Sequence, residues 1–142
     1  MPEVSVSAPV AAPADKVWAL ITDFGRFSEW NDIHTDFPHG VPAALAVGNK
    51  YSEKMALMGM PAEVSWTVTE LEPGRSYLLQ GNGPMGISVR QQYSVDDGNE
   101  GSLVTVGIEF KGTAVTMMAG KIKDATTTAL TESLRKLAAL VA

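Results

Sequence analysis

The chain has 142 residues, 45% of them hydrophobic and 19% charged, with a formal net charge of −5 and no cysteine. That balance excludes a disordered chain and fits one folded domain over residues 1–142. The missing cysteines exclude disulfides, thiol catalysis and thiolate metal sites, and the acidic balance, with no cluster of Lys and Arg, argues against nucleic acid or an anionic membrane surface as a partner.

The opening MPEVSVSAPVAAP carries neither a basic n-region nor a continuous apolar run. It does not read as a signal peptide. No apolar stretch approaches the roughly 20 residues that span a bilayer. A soluble, cytoplasmic protein without stable membrane insertion is expected.

Residues 3–9 alternate, Val4 and Val6 against Ser5 and Ser7, and predict a first strand. In APADKVWALITDF, Pro13 suits the first helical position and Asp15 the positive end of the helix dipole. Val17, Trp18, Leu20, Ile21 and Phe24 continue as a helical apolar stripe. Gly25 interrupts it, and RFSEWN predicts a second short helix. Pro38, Gly40 and Pro42 then mark residues 31–48 as an irregular crossing segment.

From Gly48 the period becomes two, predicting strands near 49–58, 62–72, 76–82, 87–96 and 102–111. The turns between them are short, so the strands form an antiparallel meander. The last block has no proline and carries Met118, Ile122, Leu130, Leu134 and Leu137 on one face. It predicts a helix of up to about 29 residues, roughly 43 Å long. Each strand has one apolar face, and this helix is the element with enough apolar area to cover it. The fold class is α+β: a curved antiparallel sheet of about six to seven strands wrapped around a long C-terminal helix, with two short helices after the first strand.

This order, together with Ala12, Pro13, Asp15, Val17, Trp18, Leu20, Ile21, Asp23, Phe27 and Trp30 near the start, resembles the SRPBCC superfamily of START and Bet v 1-like helix-grip domains. The polyketide cyclase/dehydrase-like branch is the most similar, and Leu71-Glu72-Pro73-Gly74 matches a common turn in it. The resemblance implies a hydrophobic cavity between sheet and C-terminal helix. Members range from lipid carriers to cyclases, so it assigns no catalytic residue.

Several motifs invite chemistry. GNGPMG at 81–86 satisfies G-x-G-x-x-G, but a β-like run follows where a dinucleotide site needs a helix; it reads as a hairpin turn, and no cofactor is expected. Asp32, His34, Asp36 and His39 fall within eight residues without a metal-site spacing, and read as solvated loop polars with no metal. No G-x-S-x-G elbow supports a serine nucleophile.

Polar residues on apolar faces carry more. Counting by twos places Glu53 with Tyr51, Met55 and Leu57, and Gln91 between Val89 and Tyr93. Glu53 either faces the interior, as a catalytic candidate, or is returned to solvent by a bulge or a shifted strand start. Thr126, Thr127 and Thr128 sit mid-helix, where a hydroxyl either meets a ligand or bonds back to the preceding turn.

The leading expectation is a binder of a hydrophobic small molecule such as a lipid or polyketide. Trp30, Met55, Trp66, Leu79, Val89, Tyr93, Ile108, Phe110, Met118 and Ile122 would line its cavity, with Gln91 and Thr126 as polar contacts. The alternatives are a cyclase or dehydratase in which Glu53 or a loop histidine moves a proton, and a role exerted on a protein partner, as in a toxin–antitoxin pair.

Overall fold

The structure is a computed structural model that describes residues 3–42, 45–98 and 101–141. Strand β1 (Glu3–Val10) keeps Val4 and Val10 inside and Ser5, Ser7 and Pro9 outside. Helix α1 (Ala14–Ile21) begins after Pro13 and buries Val17, Leu20 and Ile21. A 3-10 helix, Phe24–Glu29, then buries Phe24 and Phe27.

Strands β2 (His34–Asp36), β3 (Lys50–Leu57), β4 (Met60–Glu72), β5 (Ser76–Asn82), β6 (Ser88–Gly98) and β7 (Gly101–Lys111) follow, then helices α2 (Thr113–Met117) and α3 (Ala119–Val141). The seven strands form one sheet in the order β1-β7-β6-β5-β4-β3-β2, and every neighbouring pair is antiparallel. The chain's first strand therefore pairs with its last, Val4 opposite Ile108. Pro9, which cannot donate to a ladder, is tolerated because β1 is an edge strand.

Three sequence expectations need correction. The crossing segment contains β2, whose His34 and Asp36 pair with Met55 and Lys54 across an irregular register. The second short helix starts at Phe24 rather than Arg26, because Phe24 and Phe27, three residues apart, bury the same side of a 3-10 turn. The C-terminal helix is two helices, broken at Met118, which has φ −122° and ψ 21°. Val115-Thr116 before the break and Gly120 just after it are poor helix formers. The break lets Val115 turn inward on α2 independently of the stripe on α3.

The inward faces of the strands and of α3 close on one core, with Val17, Trp66, Tyr77, Leu79, Val106, Leu134 and Leu137 among its members. Polar ties fix the layers. The Tyr77 hydroxyl donates to the Ile21 carbonyl at 2.6 Å, and Ser133 of α3 accepts from the Asp32 amide at 2.8 Å. Among the described residues, no helix is long and apolar enough to cross a membrane.

Candidate functional site: an apolar cavity over a buried polar layer

At one end of the sheet the core does not close. A cavity of about 250 Å³ lies between Met55 and Leu57 of β3, Pro61, Ala62 and Val64 of β4, Val89 of β6, Phe110 of β7, Val115 of α2 and Ile122 of α3, with Ile33 ahead of β2. Two turns finish it. Met58 and Gly59 connect β3 to β4 with φ of 55° and 73°, the left-handed pair that a two-residue hairpin demands. Gly83–Ile87, containing the 3-10 turn Pro84–Gly86, connects β5 to β6. That turn holds the glycine motif in a hairpin, so no helix N-terminus is available for a pyrophosphate. Met58, Met60 and Met85 line the cavity and are also exposed, so flexible thioethers form its rim.

Two residues along each strand, and one turn along α3, the composition changes. From Met55, Val64, Val89, Phe110 and Ile122 these steps lead to Glu53, Trp66, Gln91, Ile108 and Thr126. This layer holds three of the five polar residues buried among the described ones. Glu53 is only 4% exposed. Its Oε1 accepts from Trp66 Nε1 at 3.0 Å, and its Oε2 lies 2.6 Å from His34 Nδ1. Gln91 donates to the Tyr93 hydroxyl at 2.9 Å, and Asn31 reaches the same hydroxyl at 3.4 Å.

Glycine makes the indole's position possible. Gly81 pairs with Trp66 across β4 and β5, and a Cβ on it would stand 2.6 Å from Trp66 Cε3 and 2.7 Å from Val64 Cγ1. Trp66 therefore lies over a strand with no side chain at that point, and its N–H reaches Glu53.

Of the residues expected in the cavity, Met55, Val89, Phe110 and Ile122 line it. Trp66, Leu79, Tyr93 and Ile108 are instead packed into the core beneath, because sheet parity assigns the inward face but not the depth along it. Trp30 does not line the cavity: it is 1% exposed and packs edge-on against Phe27 and Tyr93. Met118 lies at the break between α2 and α3 with its side chain exposed. Gln91 and Thr126 belong to the polar layer, not the cavity wall.

His34 corrects the reading of Asp32–His39 as a solvated loop. Its ring packs on Phe37, with centroids 4.5 Å apart, and its side chain is 5% exposed. His39 is exposed, and no group of three or more potential metal ligands occurs among the described residues. The signal for His34 was Glu53 itself, since a buried carboxylate needs a partner and the chain has two histidines.

All three tyrosines stand within the field of this carboxylate. Burial, then the charge of Glu53, raises the hydroxyl pKa of Tyr51; burial dominates for Tyr77 and Tyr93 also, with Glu53 and the neighbouring tyrosines adding to it. A pKa raised in the folded state contributes stability that is intact below the unfolded value of about 10 and is lost as pH climbs above it. Tyrosinate absorbance is therefore expected to stay flat through about pH 10 and to rise cooperatively, together with loss of the circular dichroism signal. A simple titration near pH 10 in the folded protein would contradict this placement of the rings.

A curled antiparallel sheet closed over a C-terminal helix, with short helices after the first strand, defines a helix-grip protein of the START type. The chain belongs to the family described as polyketide cyclase/dehydrase and lipid transport, which it matches over residues 1–142. It is 28% identical to Toxin Rv0910 of Mycobacterium tuberculosis over 143 residues, covering 100% of this chain and 99% of that one. Protein CV1439 from Chromobacterium violaceum superposes with a TM-score of 0.75 at 17% identity, over 99% of this chain and 98% of its own. A START superfamily protein from Mycobacterium smegmatis does so with a TM-score of 0.71 at 18% identity, over 98% and 96%. These structural likenesses speak for the fold, and the chemistry rests on the site.

Proposed function

We propose that the protein binds a hydrophobic small molecule, a lipid, polyketide or similar compound, in the cavity beneath the methionine rim. One observation carries the reading: among the described residues, every side chain lining the cavity is apolar. Water in such a space finds no hydrogen-bonding partners, whereas an apolar ligand gains about 25 cal/mol per Å² of surface removed from water. The volume sits just under the roughly 300–1000 Å³ of ordinary small-molecule sites, which favours a compact ligand or one that protrudes between the rim methionines.

The same lining weighs against a cyclase or dehydratase. An acid or base must come within hydrogen-bond reach of the reacting group, and among the described residues no titratable side chain lines the space. Glu53 lies one layer down with both oxygens already engaged. A role exerted through a protein partner is the second reading, favoured by the full-length match to a protein named as a toxin. Titration with the uncharged fluorophore phenylnaphthylamine separates them. Saturable binding that is lost in Ile122→Trp supports the cavity reading, and no binding by the wild type overturns it.

A further inference from the structure

Resting on that reading, we propose that Met58, Met60 and Met85 are a peroxide-sensitive modification site, whose oxidation from thioether to sulfoxide opens the rim and weakens the hold on the apolar ligand. All three line the cavity. Met85 is 80% exposed, Met60 50% and Met58 37%, so each side chain bounds the ligand space on one side and reaches solvent on the other. The chain has no cysteine, which leaves thioethers as its oxidisable sulfur.

Folding alone does not call for methionine at these turns. Met58 and Met85 have φ of 55° and 57° and are the two non-glycine residues at positive φ among the described ones. Glycine or asparagine takes that conformation at less cost, and an exposed side chain adds little packing in return. Backbone outliers of this kind gather where function holds them. Leucine would make an equally apolar rim. What the thioether adds is flexibility and a reactive sulfur.

In the step itself a sulfur lone pair attacks hydrogen peroxide: the O–O bond breaks, an S–O bond forms and water leaves. Sulfur is oxidised by two electrons and the peroxide is reduced by two. The sulfoxide is strongly polar, and a polar group without a hydrogen-bond partner is unfavourable in an apolar space. Every described side chain in the wall is apolar, so the sulfoxide oxygen turns to water and takes its side chain off the rim. The ligand then loses apolar contact, and water reaches it. Met117 and Met118 provide an internal comparison: both are exposed, and neither lines the cavity.

The test is phenylnaphthylamine titration before and after hydrogen peroxide treatment, with each sulfoxide located by peptide mass spectrometry. It is run on the wild type, on Met58→Leu/Met60→Leu/Met85→Leu and on Met117→Leu/Met118→Leu, each protein compared with its own untreated sample. Oxidation is expected to weaken binding roughly tenfold in the wild type and in the second variant, and less than about twofold in the rim variant. Methionine sulfoxide reductases A and B, which act on the two sulfoxide epimers, should restore the wild type. In a time course on the wild type, the loss should follow the rim sulfoxides and not those at Met117 and Met118, which gives the same answer should the rim variant fail to fold. An unchanged affinity once the rim is oxidised, an equal loss in the rim variant, or rim thioethers that stay reduced while Met117 is converted overturns this inference and leaves the cavity reading intact. No uptake of the fluorophore by the untreated wild type overturns both.

Discussion

Glu53→Ala is expected to lower the unfolding free energy by roughly 2–6 kcal/mol, about 1–3 kcal/mol for each of two buried groups left without its hydrogen-bond partner. Alanine would strand two buried donors at once, the Trp66 indole N–H at 3.0 Å and the His34 ring nitrogen at 2.6 Å. Because His34 also packs on Phe37 and Phe27, it cannot swing into water without disturbing the aromatic cluster. Glu53→Gln keeps the shape and an acceptor for the indole, so its loss should be smaller. Urea denaturation with an unchanged m-value is the measurement. In a double-mutant cycle with His34→Ala, the two losses should fail to add by roughly 0.5–3 kcal/mol. A loss in Glu53→Ala below about 1 kcal/mol, ordinary for a surface change, would mean that the carboxylate is not buried as described.

Gly81→Ala is expected to destabilise by roughly 1–3 kcal/mol, although glycine to alanine is normally favourable in a regular element. The new methyl would meet Trp66 Cε3 at 2.6 Å and Val64 Cγ1 at 2.7 Å, closer than packed carbons approach. Relief requires the indole to lift off β5, which breaks its bond to Glu53 and pushes on Val64, a cavity wall residue. The substitution should therefore shift tryptophan fluorescence and weaken phenylnaphthylamine uptake together. Stability at or above the wild-type value would contradict the close approach of Trp66 to Gly81.

Much of this arrangement was legible in the amino-acid order. Period-two alternation marked β3 to β7 closely, with residues 76–82 matching β5 at both ends. The same parity put Glu53 and Gln91 in the inward set, and both are buried. What the order left open was depth and distance. Trp66 and Val64 share a face, yet one supports a buried carboxylate while the other lines a cavity, and alternation is blind to that difference. His34 and Glu53 meet across 19 positions of chain, through a strand of three residues too short to show a period. The break at Met118 was hidden because a continuous apolar stripe reads the same whether or not one residue leaves the helical region. The rim is built from turns, where methionines at 58, 60 and 85 are brought together by hairpin geometry alone.

The central claim is that the space bounded by Val89, Phe110, Val115 and Ile122 receives an apolar molecule. Phenylnaphthylamine titration of the wild type and of Ile122→Trp tests it most directly, because the indole fills the space from α3 without touching the polar layer's hydrogen bonds. Saturable, one-to-one enhancement of the fluorophore is expected for the wild type, and an affinity at least roughly tenfold weaker for the filled variant, with its far-ultraviolet circular dichroism unchanged. Equal binding by both proteins, or none by the wild type, would contradict it.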